Sequence, residues 1–236
     1  MRKKNNYLML MTLCCMLMAP VMGQDEAQDN DPVQIESVDN NAIDNKQKEI
    51  EDLYVTIYKI NEKYPEMTYQ YKNADDGTTV VKIEGVSDAN DQKKLETCFI
   101  NLYNIKKQLK NLASTEGIYL VAETEPKPKM GIENFYQQLH SNLSYPESAL
   151  DMGVEGTIYV KFVVNENGEV GNVVIAEDID APVEAAIDDF KAEAKSAIES
   201  TSGQWEPSTV GGVPVSQWMV LPVQFKLESP HFIPIY

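Results

Sequence analysis

The sequence predicts an α+β protein made of two small domains, and three observations carry that expectation. From Tyr145 to Glu228 the pattern reads strand, strand, helix, strand, with Thr157 to Val164 alternating β-branched and aromatic residues. From Gln47 to Ala122 it reads helix, strand, strand, helix, strand. Between the two runs lies Glu123-Thr124-Glu125-Pro126-Lys127-Pro128-Lys129, a charged, proline-bearing stretch with the composition of a linker. The expected division is a signal peptide at 1–23, an acidic disordered segment at 24–45, a first α+β domain at 46–123, a linker at 124–130, a second domain at 131–228 and a tail at 229–236.

Arg2-Lys3-Lys4 precedes an apolar run from Tyr7 to Met22, and Val21-Met22-Gly23 offers small or apolar residues for cleavage. A secretory signal peptide is therefore expected, with Gln24 as the mature N-terminus. The run is shorter than the roughly 20 residues of a spanning helix, which weighs against a retained anchor. The residues before Cys14 and Cys15 are not the small ones a lipid-anchoring site needs. Gln24 to Asn45 is acidic and almost free of aromatic residues, the composition of a solvated tail.

Gln47 to Tyr64 carries an apolar stripe at helical spacing, Ile50, Leu53, Tyr54, Ile57, Ile60 and Tyr64, and Pro65 stops it. Met67 to Lys72 and Thr78 to Val86 read as strands joined by the Asn73-to-Gly77 turn. Ser87 or Asp88 can cap the next helix, Ala89 to Leu112, whose face is Leu95, Cys98, Phe99, Leu102, Ile105, Leu109 and Leu112. Ile118 to Ala122 makes a short third strand. Three strands with two helices on one face would bury a sufficient core.

In the second half, Gly131 to Asn142 reads as a helix, and Tyr145-Pro146 opens a short one. Asn165-Glu166-Asn167-Gly168 supplies the positive φ of a tight hairpin between the first two strands. Pro182 starts a helix that runs to Ser200 with Ala185, Ala186, Phe190, Ala194, Ala197 and Ile198 at helical spacing. Trp205-Glu206-Pro207 and Gly211-Gly212 lead into the last strand, Pro214 to Leu227.

The Tyr145-Pro146 opening, the Glu155-to-Val164 strand with Gly156, the Gly168 hairpin, Trp205-x-Pro207 and Leu221-Pro222-Val223-x-Phe225 resemble, in that order, the TonB C-terminal domain family. Over residues 131–228 the resemblance implies a helix-strand-strand-helix-strand fold around a three-stranded antiparallel sheet. Tyr145, Pro146, Gly156, Gly168, Trp205 and Pro207 would be structural. It also implies that the last strand lies at a sheet edge, where an extended peptide of an outer-membrane receptor, the TonB box, adds as a further strand. The binding edge implied here is Val213 to Phe225, with Val215, Gln217, Trp218, Met219, Val220 and Leu221 as its residues. Pro222 fits such an edge, and equally fits a proline that protects an edge against aggregation.

The expected partner is a TonB-box-like peptide of a receptor or another periplasmic protein, and the expected role is accessory to TonB-dependent transport in the periplasm of a Gram-negative bacterium. The chain departs from the family's energy transducer in lacking a long proline-rich segment, and it has Ser144 and Ser148 where the transducer has glutamine and arginine. An inner-membrane-anchored transducer with an uncleaved leader is the first alternative. The second is a structural or cell-wall-associated protein that oligomerises, a homodimer included.

The chemistry visible in the sequence points away from catalysis. A formal charge of −17 repels phosphate backbones, so nucleic acid is a poor partner. Beyond the leader, Cys98 is the one cysteine, and it falls on an apolar helix face as a buried structural thiol would. His140 and His231 are the two histidines, far apart in sequence, and no HExxH, CxxC, GxSxG or phosphate-binding glycine loop is present. Carboxylate pairs such as Asp188-Asp189 are expected among 37 acidic residues. No enzyme activity, cofactor or metal is expected.

Overall fold

The computed structural model describes residues 40–74, 78–110, 113–114, 116–150, 153–177 and 184–227, without side chains at 40–43, 148 and 184–186. The expected signal peptide, most of the acidic segment, Leu112, the Asp75-Asp76-Gly77 turn, Asp178 to Asp180, Pro182, and the tail with His231 lie outside the described residues. Helix α1 spans Asn40–Lys63 and so begins inside the segment expected to be disordered. Ion pairs one turn apart support its early turns: Lys46 to Glu49 at 2.7 Å, Lys48 to Glu51 at 2.8 Å and Lys48 to Asp52 at 3.0 Å. Strands β1 (Thr68–Asn73) and β2 (Thr79–Glu84) form the expected antiparallel hairpin, with Tyr71 opposite Val81.

Helix α2 spans Ala89–Leu109, and of the two expected caps Asp88 does the work. Its Oδ1 accepts from the backbone N–H of Asn90 (2.8 Å) and Asp91 (2.9 Å), two groups that have no partner within the helix. Asp88→Ala should therefore cost about 1 kcal/mol, readable as a lower urea midpoint with an unchanged slope. Tyr69 of the hairpin stacks on Phe99 of α2 at 4.1 Å between ring centres. Cys98 is buried beside it, and burial pushes its thiol pKa up.

The third strand of this half does not join the hairpin. β3, reduced to Ile118–Tyr119, pairs in parallel with the last strand of the chain, β9 (Val213–Phe225), Ile118 opposite Ser216 and Tyr119 opposite Gln217. The physical reason lies in the two residues after β3. Leu120 and Val121 are buried in a core that also holds Tyr159 and Val220 of the C-terminal half, so pairing there puts both residues under α1 and α2.

The C-terminal half continues with β4 (Lys127–Pro128), α3 (Ile132–Asn142), the short α4 (Glu147–Leu150), β5 (Gly156–Val164) and β6 (Val170–Glu177). Then come α5 (Glu184–Glu199), β7 (Trp205–Glu206), β8 (Ser208–Val210) and β9. The main sheet has the order β3-β9-β5-β6, with β8 paired to the start of β9. β5 lies between β9 and β6 and is antiparallel to both.

Strand alternation sends Ile158, Phe162, Leu221 and Phe225 to one face, against Phe135 and Leu139 of α3 and Phe190 and Ile198 of α5. Tyr159 and Val220 point to the other face, against the core built by α1 and α2. The two halves thus share one sheet, buried on both faces. Each large apolar side chain so covered contributes about 1.5–3 kcal/mol.

The stretch expected to be a linker is stitched into the fold. β4 pairs with β7, Lys127 opposite Glu206 and Pro128 opposite Trp205. The backbone N–H of Glu123 donates to Thr209 O (3.0 Å) and that of Lys129 to Gln204 O (2.8 Å). Proline and charge in the sequence resemble a spacer, but Pro126 and Pro128 are buried, and Lys127 between them faces outward.

Candidate functional site

β9 is the strand on which the expected binding residues lie, and its neighbours decide what it can offer. On one side β5 covers Gln217 to Phe225 in unbroken register, from Val164 opposite Gln217 to Gly156 opposite Phe225. Val213 to Val215 pair with β8, and Ser216 and Gln217 with β3. From Trp218 to Phe225 the second side has no strand partner among the described residues. Pro222 lies in this one-sided stretch, as a missing N–H requires of a sheet proline. The expected edge from Val213 to Phe225 is therefore closed over its first five residues and lacks a strand only beyond them.

The side chains are enclosed rather than displayed. Met219 and Leu221 sit in the core under α3 and α5, and Val220 in the core under α1. Val215 and Trp218 are half-buried, and Gln217 is 2 % exposed. Such positions leave the backbone edge of β9, rather than a side-chain face, free of core packing.

A cavity of about 40 Å³ lies against this edge. Gln217 to Val220 border it together with Lys161 of β5 and Glu51, Tyr54 and Tyr58 of α1, so it lies between α1 and the sheet face of Trp218 and Val220 and reaches the strand's edge at Leu120 and Glu125. α1 closes it: the Tyr58 hydroxyl donates to Val220 O at 3.4 Å, and Tyr58 stacks with Tyr159 of β5 at 6.3 Å. Glu62 of α1 accepts from Thr157 Oγ1 (2.8 Å) and from the Tyr159 hydroxyl (3.2 Å). The helix is thereby held to the sheet at several points.

Two ion pairs line the same cavity. Lys106, 5 % exposed, meets Glu125 Oε1 at 2.8 Å. Glu125 Oε2 accepts from Gln217 Nε2 at 2.5 Å, and Gln217 Oε1 from the buried Ser208 hydroxyl at 2.5 Å. Lys161 of β5 meets Glu51 of α1 at 3.1 Å and lies 4.7 Å above the Trp218 ring. With its amide oxygen turned inward, Gln47 accepts from Trp218 Nε1 (3.1 Å) and Lys161 Nζ (3.0 Å).

Burial works against the Lys106 charge, but Glu125 and Tyr54 outweigh it and hold the ammonium above its ordinary pKa. Burial, and then the Glu62 charge, push the Tyr159 phenol well above its usual range, and burial does the same to Tyr69 and Tyr71. A raised folded pKa means stability that is full below the unfolded value, near 10, and declines as the unfolded chain loses protons that the folded one keeps. Stability should therefore fall steadily between about pH 10 and pH 12. Urea titrations across that range check it, and an unchanged midpoint at pH 11.5 would contradict it.

The motif residues occupy structural positions. Tyr145 packs edge-on against Phe190 and Phe225, and its hydroxyl donates to Val154 O. Pro146 leads directly into α4, Gly156 opens β5 opposite Phe225, and Pro207 separates β7 from β8. Gly168 has φ 78° at the hairpin, where Asn165 Oδ1 accepts from the N–H of Asn167 and Glu169. Trp205 is fully buried. At the departing position Ser144, the backbone N–H donates to Glu193 (2.6 Å), and the Ser148 side chain lies outside the described residues.

Sequence reading did not find Lys106, Glu125, Tyr58 or Lys161 as parts of this site. Lys106 follows directly on Ile105 at the buried face of α2, and a lysine beside an apolar stripe was the available signal.

Residues 141–227 match the family model of the Gram-negative bacterial TonB protein C-terminal domain. Among solved structures, the solution structure of the Helicobacter pylori TonB C-terminal domain is similar at 20 % identity over 41 % of this chain and 84 % of that one, with a TM-score of 0.30. No curated protein matches the chain.

Proposed function

On the premise that residues 141–227 are a TonB C-terminal domain, we propose that the chain is a non-enzymatic protein of the Gram-negative envelope that serves outer-membrane transport by binding an extended peptide. The peptide adds as a strand to the outer side of β9. The observation that carries this reading is the stretch Trp218 to Phe225, paired with β5 on one side and with no strand on the other among the described residues. Unpaired backbone groups along such a stretch supply affinity, and the flanking side chains supply specificity.

The sheet's other edge, β6, is less suited. Its pairing with β5 carries two register irregularities, and Asn172 within it has φ 51°, features that bend a strand away from flat pairing. The periplasm is the compartment this reading assigns. It fits the basic start and apolar run within residues 1–23, and among the described residues no helix is long and apolar enough to cross a membrane.

The test is an amide chemical-shift titration of the isotope-labelled protein with N-terminal peptides of outer-membrane receptors from the same cell. Saturable shifts concentrated in Trp218 to Phe225 are expected. Shifts confined to β6, or none at millimolar peptide, would refute the reading.

A further inference from the structure

The outer side of β9 already holds a strand. Ile118 and Tyr119 lie on it in parallel, opposite Ser216 and Gln217, and Leu120, Val121 and Ala122 behind them are buried. Six residues after Tyr119, Glu125 brings its carboxylate to both Lys106 (2.8 Å) and Gln217 (2.5 Å). The free space left beside Gln217 to Val220 is about 40 Å³. That is room for about three or four waters, whereas a strand must lie about 4.8 Å from its neighbour along its whole length. A peptide that extends its pairing on this side of β9 back to Ser216 and Gln217 has to take the place of β3.

We propose that Ile118 to Glu125 is an internal occupant of the docking edge, and that the partner peptide shares its chemistry: a short apolar and aromatic strand followed by a carboxylate. The proposal rests on the strand-addition reading and specifies the ligand class and the block on that same edge. β3 contributes only two residue pairs, so a peptide that replaces it and continues beside Trp218 to Phe225 gains backbone bonds that β3 never makes. The carboxylate is required because Lys106 is buried. If Glu125 leaves and the incoming peptide brings no acid, the buried ammonium is left without a counter-charge.

The occupant and its competitor can be separated with one probe, a fluorescent peptide with the sequence of residues 116–127, Glu116 to Lys127. Its binding is measured by anisotropy to the unchanged chain, to Tyr119→Pro, which removes a backbone N–H and fixes φ within the two-residue β3, and to an Ile118→Cys/Ser216→Cys pair that locks β3 in place when oxidised. The locked chain carries Cys14→Ser and Cys15→Ser so that no other accessible thiol competes, Cys98 being buried.

Tyr119→Pro should bind the peptide at least about tenfold more tightly than the unchanged chain, since an edge open only part of the time weakens apparent affinity by that fraction. The same peptide with Glu125→Gln should lose about tenfold on that variant. The oxidised lock should not bind, and reduction should restore binding. Should Tyr119→Pro fail to fold, the lock still decides: equal binding by its oxidised and reduced forms overturns the internal occupant. Receptor peptides run in parallel keep the two ideas apart. If they bind the oxidised lock through β9, strand addition stands and the internal block is wrong. If they bind no form of the protein, strand addition itself fails.

Discussion

Trp205→Ala should lower the stability of the protein by about 3–5 kcal/mol, the range for removing a fully buried tryptophan. Trp205 has no exposed surface and joins three elements. Its ring meets Phe135 of α3 edge-on at 4.9 Å and Phe162 of β5 at 5.6 Å between centres. Its Nε1 donates to Thr201 Oγ1 at 3.0 Å just beyond α5, and that hydroxyl in turn donates to Ile198 O. Alanine leaves a cavity where these elements converge, and rigid aromatic neighbours cannot collapse to fill it.

A second substitution reports on the same junction from the opposite side. A Cβ on Gly168 would lie 2.1 Å from Trp205 O, and φ there is 78°. Gly168→Ala must therefore both strain the hairpin and push β7 away, a cost of several kcal/mol. Because the two sites touch, their effects should not add. Urea unfolding of the two single variants and the double variant measures this, and Trp205→Ala with a loss below 1 kcal/mol would show that the junction is not where stability is concentrated.

Lys106→Met should cost about 3–5 kcal/mol, because it leaves the Glu125 carboxylate buried without its cation. The methylene stem is kept, so the loss reports charge rather than packing. Adding Glu125→Leu should recover most of it, since a buried ion pair replaced on both sides by apolar groups is often nearly neutral. Gln217 sets the limit on recovery: its Nε2 loses the carboxylate it donates to, while its Oε1 keeps Ser208. A double-mutant cycle by urea unfolding separates these contributions, and the signature expected is a double variant more stable than Lys106→Met alone. Equal destabilisation by the single and double variants would mean the pair acts through packing.

Local signals made most of the C-terminal half legible. The Asn165-to-Gly168 hairpin, the helix ending near Ser200 and the burial of Trp205 each follow from periodicity and turn chemistry confined to neighbouring residues. The Asp88 cap was readable in the same way. The partner of β3 was not, because two residues carry no periodicity, and the choice between β2 and β9 was made by the distant core that Leu120 and Val121 enter. Glu125 was hidden for a related reason. Its prolines and charges resemble a spacer, and only the fold brings it to a lysine 19 positions earlier. The early start of α1 belongs with these: the helix runs back to Asn40 from turns whose lysine–carboxylate pairs begin at Lys46.

The enclosure of β9 by α1 and β3 changes what its candidate residues can do. The family resemblance implies Met219 and Leu221 as residues of a binding edge, and in the fold they are core. What no second strand covers among the described residues is the backbone from Trp218 onward, while the charged corner at Lys106 lies against Glu125 of the segment after α2. Regions that must open for binding are expected at the low end of local stability.

Amide hydrogen exchange of the whole protein, with and without a receptor peptide, tests the central claim most directly. The account predicts that peptide slows exchange in Trp218 to Phe225 and speeds it in Ile118 to Ala122, two opposite changes on neighbouring backbones. Slower exchange in β6 with no change in either of those segments would contradict it.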